Sequence, residues 1–160
     1  MLVHPLPFAE EIKRMYAERI FPNVERYKYF FTIGYTAYPE IAEHDYNVMQ
    51  RISMHNNEML GWMGARLDRE LWAVTGLEFL SFQEKPSFLF GKDGVKFFND
   101  LIDVYRFKKL TWEFTTENPA YKMYRQIVNQ YDGTIIDLLD TAKLPTGEEV
   151  PMVRAVITLS

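Results

Sequence analysis

Two short stretches of this chain combine residue types that could bind an anion, and both follow predicted strands. They are Phe88-Leu89-Phe90-Gly91-Lys92-Asp93-Gly94-Val95 and Phe114-Thr115-Thr116-Glu117-Asn118-Pro119-Ala120. Each stretch is typical of a strand that turns into a helix, so two helix N-termini are predicted at the same end of one sheet. Because free backbone amides and the helix dipole attract anions there, this end is a candidate site for a phosphate-bearing ligand.

Hydrophobic periodicity supplies the elements that would position these junctions. Helical spacing predicts helices over residues 9–20, 93–105 and 120–131. Alternating or β-branched and aromatic residues predict strands over residues 27–38, 47–54, 59–67, 71–82, 110–115, 134–139 and 152–159. Residues 39–45 fit either a short helix or a loop. The order of these elements predicts an α/β (α+β) chain of one domain, residues 1–160, around a mixed sheet.

The bulk composition excludes several classes of protein. A net charge of −4, with no local cluster of Lys and Arg, argues against a nucleic-acid binder. The absence of cysteine excludes disulfides and thiolate sites, and the histidines His4, His44 and His55 lack the spacing of metal ligands. The first residues do not resemble a signal peptide, and no stretch approaches the roughly 18 apolar residues of a membrane span. We therefore expect a cytoplasmic protein without a membrane partner.

The order of strands and helices, together with the glycine and proline residues between them, resembles the GCN5-related N-acetyltransferase (GNAT) superfamily, as a divergent member. The resemblance is clearest from residue 77 to residue 131. The resemblance implies a mixed, mostly antiparallel central sheet flanked by helices. In that family a central strand leads into a loop whose backbone amides hold the pyrophosphate of acetyl-CoA at the start of a helix. Here residues 77–81 would be the strand, residues 88–94 the loop and residues 95–105 the helix.

The family loop reads Gln or Arg, two residues, Gly, one residue, then Gly or Ala. Gly91 matches this pattern, whereas Phe88 and Asp93 depart from it. A carboxylate beside a pyrophosphate is repelled unless it points outward as a helix cap, and Lys92 would offset its charge. The first junction therefore keeps one family glycine and departs from the pattern at two other positions.

The second junction matches the family pattern better than the first. Ala120, Tyr124 and Gly133 have the family spacing, while Asn118 lies one position off. The resemblance implies that the Tyr124 hydroxyl protonates the leaving thiolate of the coenzyme. It also implies a backbone N–H near residues 80–82 that polarises the acetyl carbonyl, and Glu78 or Glu84 as the base.

The resemblance thus implies Tyr124 and Glu78 as catalytic residues and acetyl-CoA as co-substrate. The implied coenzyme-binding residues are Leu80, Phe82, Phe88, Leu89, Phe90, Gly91, Lys92, Asp93, Gly94, Val95, Asn118, Ala120 and Tyr121. Without the resemblance, plainer roles fit the same residues: a core tyrosine, turn glycines and a solvated glutamate on a strand.

Two functions are compatible with this sequence. The first is an acetyl-CoA-dependent N-acetyltransferase that transfers an acetyl group to a primary amine of a small molecule or a protein by direct attack. The second is a non-catalytic binding or assembly module with the same fold and an eroded coenzyme loop. The aromatic residues 27–38 fit a core strand, with the surface of a homodimer as the alternative.

Overall fold

The computed structural model describes residues 1–30 and 38–160 of the chain. The N-terminal region comprises β1 (Leu2–Val3), a 3-10 turn (Leu6–Phe8), α1 (Ala9–Met15), a π-helical turn (Tyr16–Ile20) and α2 (Val24–Tyr27). The remaining elements are β2 (Val48–His55), β3 (Glu58–Asp68), β4 (Ala73–Ser81), α3 (Phe88–Asp103), β5 (Lys109–Thr115), α4 (Tyr121–Gln130), β6 (Thr134–Lys143) and β7 (Glu149–Thr158). None of the helices in these two ranges is long and apolar enough to cross a membrane.

Across the described residues the strands form one sheet in the order β1-β2-β3-β4-β5-β7-β6. Neighbouring strands are antiparallel except for β4 and β5, which run parallel. The prediction of a mixed, mostly antiparallel sheet flanked by helices is therefore confirmed. The parallel pair meets only at Ala73 with Lys109 and at Val74 with Leu110. Beyond these two pairs β4 and β5 diverge, and they leave a wedge between their C-terminal ends.

The sheet has a hydrophobic cluster on each face. Alternation along the strands produces the two clusters, since Trp62 and Met63 of β3 point to opposite faces. Helices α3 and α4 cover one face, and its largest buried rings are Phe79, Phe97, Phe98, Phe107, Trp112, Phe114 and Tyr124. The N-terminal helices cover part of the other face, where the buried residues are Ile12, Tyr16, Ile20, Tyr27, Phe30, Ile52, Met59, Trp62, Leu80 and Phe82.

The predicted strand over residues 27–38 is wrong at its beginning. Tyr27 ends α2 rather than starting a strand, and Tyr27 and Phe30 pack together with their ring centroids 6.0 Å apart. Two rings at this spacing also suit a helical turn, so aromatic density alone did not distinguish a strand from a helix. Residues 31–37 of this prediction lie outside the described residues, and Tyr38 at its end is not in a strand.

The predicted loop over residues 88–94 is also wrong, because these residues form the first turns of α3. Ser87 is the N-cap residue, and its Oγ accepts a hydrogen bond from the backbone N–H of Phe90 at 3.2 Å. Gly94 lies inside the helix, and a Cβ at this position would lie only 3.3 Å from the ring of Phe79. Glycine therefore allows the helix to pack closely on that ring. By contrast, a Cβ on Gly91 would meet open space, and Asp93 does not cap the helix.

The remaining boundaries follow from local turn chemistry. The β2–β3 hairpin turns through Asn56 and Asn57, whose φ angles of 50° and 62° suit the tight turns that hairpins prefer. Strand β6 continues past its predicted end at Leu139, where a φ of 54° marks an irregularity in the pairing with β7. At the start of α4, Asn118 Oδ1 accepts a hydrogen bond from the N–H of Ala120 at 2.8 Å.

Candidate functional site

Tyr124 of α4 projects toward the wedge between β4 and β5. Its ring lies 6.0 Å from that of Phe79 on β4, and 5.6 and 4.7 Å from those of Trp112 and Phe114 on β5, measured between centroids. The side chain is only 1% exposed, and its hydroxyl takes a hydrogen bond from the Phe79 backbone. The rings of both diverging strands therefore fix the position of this hydroxyl.

The protonation state of Tyr124 follows from its surroundings. Burial raises the pKa of its hydroxyl well above the usual value near 10, the negative charge of Glu78 raises it further, and the hydrogen bond from Phe79 opposes the rise only in part. The phenol is therefore protonated throughout the physiological pH range. A group in this state can donate a proton, but it cannot act as a general base.

Glu78 lies on β4 directly opposite Gly64 of β3, and it points to the face of the sheet opposite Phe79. On that face its charge also affects Tyr16, the first residue of the π-helical turn. Burial is the main reason that the pKa of Tyr16 is raised, and Glu78 adds to the rise. One carboxylate is thus close enough to influence a hydroxyl on each face of the sheet.

An open groove of about 1310 Å³ runs across the face that carries Glu78. Tyr16, Trp62 and Glu78 line its centre, and Trp112 borders it from β5. The exposed cations Arg66 and Lys109 lie toward the end where β4 and β5 are still paired. The groove therefore passes from a carboxylate among aromatic rings to a region of positive charge.

The start of α3 follows β4 after the loop of residues 82–87. The N–H of Phe90 is bonded by the Ser87 cap, and the N–H of Gly91 donates to the Ser87 carbonyl at 3.2 Å. The amides of Phe88 and Leu89 precede these and have no acceptor within the helix. The Phe88 side chain is 84% exposed. This helix start thus offers free amides, and its first turn carries no acidic residue.

Asp93 is buried on the side of α3 that faces β2. Its Oδ2 accepts hydrogen bonds from Ser53 Oγ at 2.7 Å and from the amino group of Met1 at 3.0 Å, and it lies 2.9 Å from His55 Nε2. Burial raises the pKa of Asp93, but these hydrogen bonds together outweigh burial and hold it below its usual value. The carboxylate is therefore ionised. The Met1 amino group compensates its charge on the side of α3 that faces β2, and not at the helix start.

The other predicted site residues occupy several different environments. Leu80 and Phe82 are buried against the N-terminal helices, and the N–H of Phe82 donates to the Leu60 carbonyl of β3. The ring of Tyr121 packs on Phe114 with centroids 5.9 Å apart, while Glu84 forms an exposed ion pair with Arg26. Three further predicted residues, Gly91, Lys92 and Val95, lie on the surface of α3. Asn118 and Ala120 lie in the turn before α4.

Sequence reasoning missed three side chains at this site: Tyr16, Trp112 and Gln83. Within the two described ranges, Trp112 Nε1 and Gln83 Oε1 are buried polar atoms without a hydrogen-bond partner. Such atoms are uncommon in folded proteins and often mark places where a ligand or water binds. Trp112 was visible in the sequence as the centre of an alternating strand, but only the divergence of β4 and β5 gives its indole N–H this significance.

No protein-family model and no curated protein matches this sequence, whereas solved structures match the fold. The chain resembles the spermidine N-acetyltransferase of Vibrio cholerae in complex with CoA and spermine, with a TM-score of 0.70 and 13% identity over 99% of this chain and 94% of that one. A probable acetyltransferase matches with a TM-score of 0.67 and 13% identity, over 98% and 91%. A GCN5-related N-acetyltransferase from Brucella melitensis matches with a TM-score of 0.60 and 11% identity, over 94% and 72%. The chain therefore has the fold of these acetyltransferases, and the fold that the resemblance implied is confirmed.

Proposed function

We propose that this chain, from its acetyltransferase fold, is an acetyl-CoA-dependent N-acetyltransferase that acts on a primary amine by direct attack. The observation that carries the proposal is the meeting of the Tyr124 hydroxyl, the Phe79 backbone and the Glu78 charge at the wedge between β4 and β5. The solved complex of the Vibrio cholerae enzyme with CoA and spermine supports a thioester donor and an amine acceptor for this fold.

The residues around the wedge fit acetyl-CoA. Because Phe82 bonds to β3, the alternation of hydrogen bonds along an antiparallel strand turns the backbone groups of Phe79 and Ser81 toward the wedge. The Phe79 N–H already bonds the Tyr124 hydroxyl, and the Ser81 carbonyl already accepts a hydrogen bond from the Tyr27 hydroxyl. The Phe79 carbonyl and the Ser81 N–H can bond an extended polar chain there, and the unpartnered indole N–H of Trp112 adds a donor. The free amides of Phe88 and Leu89 suit a pyrophosphate at the start of α3.

The role of each group follows from its chemistry. When bound, acetyl-CoA supplies the acetyl group as a thioester, in which the C–S bond breaks as the new C–N bond forms. Glu78 attracts the acceptor as an ammonium ion and takes its proton, directly or through water, so that the nitrogen attacks as a neutral amine. Tyr124 Oη accepts its hydrogen bond from Phe79, so its own proton is available to the leaving sulfur. The second proton that the nitrogen loses as the amide forms restores the Tyr124 hydroxyl.

Calorimetric titration with acetyl-CoA is the first test of this proposal. We expect saturable binding, and the absence of detectable binding at millimolar coenzyme would rule out the enzyme. Tyr124→Phe should retain the affinity for acetyl-CoA and lower kcat about 100-fold, since general acid catalysis contributes roughly 10²–10⁴. Tyr131→Phe is the matched control, because it removes a hydroxyl that bonds Asn99 near the other end of α4. Equal turnover of both variants would remove Tyr124 from the mechanism.

The alternative is a non-catalytic binding module with the same fold. Two observations favour it: residues 88–94 are helical where the family has a loop, and the exposed Phe88 stands at the helix start. A module of this kind would bind acetyl-CoA weakly or not at all and would show no acetyl transfer. The calorimetric titration therefore separates the two functions without knowledge of the acceptor.

A further inference from the structure

Two glycines lie inside the central strands, directly beside Glu78 on the groove side of the sheet. Gly64 of β3 pairs with Glu78, and Gly76 stands two residues before it on β4, opposite Arg66. Because residues two apart on a strand share a face, Gly64, Gly76, Glu78 and Arg66 all belong to the face that carries the groove. All four line the groove.

Packing does not require glycine at either position. The nearest atom to a Cβ on Gly64 would be Trp62 Nε1 at 3.6 Å, and the nearest to one on Gly76 would be Arg66 Cβ at 3.5 Å, both ordinary contact distances. Glycine weakens a strand interior, and it often marks a close approach by a ligand. The two residues line the groove without a side chain beside Glu78, with Gly76 half-buried and Gly64 buried, and we call them the glycine strip.

Other glycines of the chain show what a packing requirement looks like. A Cβ on Gly61 would lie 2.3 Å from the ring of Phe90 and 2.5 Å from the Leu80 carbonyl oxygen. A Cβ on Gly133 would lie 2.6 Å from the Val156 carbonyl oxygen. These residues must be glycine because neighbouring atoms occupy the space, whereas a Cβ on either residue of the glycine strip would meet only ordinary contacts at the groove.

The charges along the strip are opposite at its two ends. Glu78 stands at one end beside the aromatic rings of Tyr16 and Trp62, and a carboxylate with aromatic rings attracts an ammonium ion. Arg66 stands diagonally across from Glu78, and diagonal neighbours in an antiparallel pair are roughly 7–8 Å apart, with their Cβ atoms somewhat closer. Arg66 and Lys109 make no ion pair with a carboxylate elsewhere in the part of the chain that the structure describes.

We propose that the glycine strip is the acceptor subsite, and that its acceptor is a small molecule with a primary amine at one end and an anionic group a few carbons away. The amine lies against Glu78, and the anionic group lies against Arg66. This inference rests on the proposed function, of which it specifies the substrate class. A polyamine fits this strip poorly, because its second ammonium group would meet Arg66 and Lys109.

Three amines of equal length test the charge pattern: 4-aminobutyrate, butylamine and 1,4-diaminobutane. With acetyl-CoA, thiol release should give the highest kcat/KM for 4-aminobutyrate and the lowest for 1,4-diaminobutane. Arg66→Gln should lower kcat/KM for 4-aminobutyrate about tenfold, the equivalent of roughly 1.4 kcal/mol, and leave that for butylamine unchanged. A preference for the diamine, or an equal effect of Arg66→Gln on all three amines, would overturn the inference.

The glycine strip itself is tested by Gly76→Val, which places a side chain over the backbone beside Glu78. Valine suits a strand, so the variant should keep its melting temperature and its affinity for acetyl-CoA. We expect KM for 4-aminobutyrate to rise at least about tenfold, since one added methylene in a pocket changes discrimination roughly 10–200-fold. Thr134→Val, at an exposed position of β6 outside the groove, is the matched control.

Failure of this inference and failure of the proposed function give different results. If acetyl transfer occurs but Gly76→Val and Arg66→Gln leave the kinetics unchanged, the acceptor binds elsewhere and the function stands. If acetyl-CoA does not bind, the proposed function fails. Titration of the protein with 4-aminobutyrate alone then tests whether the glycine strip binds this ligand. Binding that Gly76→Val weakens supports the strip, and no binding overturns it.

Discussion

The two faces of the sheet are packed in different ways. On the face covered by α3 and α4, aromatic rings contact one another in a continuous series from Phe98 through Trp112 to Tyr124, at centroid distances of 5.7 and 5.6 Å. On the other face the glycine strip carries no side chain, and a groove runs above it. The first face therefore holds most of the ring packing of the fold, and the second carries the proposed acceptor subsite. Tyr124 belongs to the packed face, but its hydroxyl lies at the wedge between β4 and β5, which belongs to neither face alone.

The largest expected effect is the loss of a ring from the packed face. Phe98 is fully buried against Trp112 and Tyr131, so Phe98→Ala should lower the free energy of unfolding by about 3–5 kcal/mol. Denaturant titration measures this change. A loss below about 1 kcal/mol would show that the ring series does not carry the stability of the fold.

Two glycine variants on one strand compare the faces directly. Gly61→Ala forces a Cβ against Phe90 and the Leu80 backbone, and overpacking of this kind costs about 1–3 kcal/mol. Gly64→Ala, three residues further along β3, meets only ordinary contacts and should change stability by less than about 0.5 kcal/mol. Equal losses in thermal or denaturant unfolding would contradict the distinction between a packed glycine and an open one.

A polar contact at the edge of the packed face should contribute somewhat less. Asp93→Asn replaces the ionised acceptor that holds Ser53 and His55, so we expect a loss of about 1.5 kcal/mol at pH 7. Because the folded-state pKa of Asp93 is lowered, its contribution is complete above the usual pKa of 3.8 and is lost as the pH falls through the folded value. The variant should therefore lose less stability on acidification than the parent does. Asp100→Asn, which breaks only the Lys96 pair on the helix surface, is the control.

The smallest effect is expected at moderately alkaline pH. Tyr124 on the packed face and Tyr16 on the groove face both have a raised pKa, so both phenols are neutral in the folded protein at pH 9. Their contribution is complete below the unfolded-state pKa near 10 and is lost as the pH rises toward the folded values. Unfolding free energies at pH 7 and pH 9 should agree within about 0.5 kcal/mol and fall above pH 10. An earlier fall, with tyrosinate absorbance, would show that one phenol is not buried.

Periodicity predicted most of the fold. Strand β5 alternates between buried and less buried residues along most of its length, and helix α4 buries one face, whereas β3 is buried on both sides and was predicted from its aromatic and apolar residues. The start of α3 escaped prediction for a physical reason. Gly91 and Gly94 favour a loop when they are read locally, but Ser87 caps a helix before them and Phe79 packs closely against Gly94. Tertiary packing thus overrode the local signal.

The candidate site could be predicted only where one side chain defines it. Tyr124 stood out through its spacing from Ala120, whereas the glycine strip depends on strand register. Nothing in the sequence places Gly64 beside Glu78, fourteen positions away, until β3 and β4 are paired. Tyr16 was likewise read as part of a helix face, since its proximity to Glu78 arises only when the N-terminal helices cover the sheet.

The short parallel contact between β4 and β5 has a mechanical consequence. Within the described residues, the half of the sheet formed by β1 to β4 is joined to the half formed by β5 to β7 by the pairs at Ala73 and Val74 and by the adjacent hydrogen bond from the Lys108 N–H to the Trp72 carbonyl. We expect such a joint to act as a hinge, because the two halves can pivot about it without breaking another ladder of backbone hydrogen bonds between described strands. The width of the wedge is then limited by the rings that span it, with Tyr124 foremost among them, and a guest molecule can be admitted by elastic opening rather than by local unfolding.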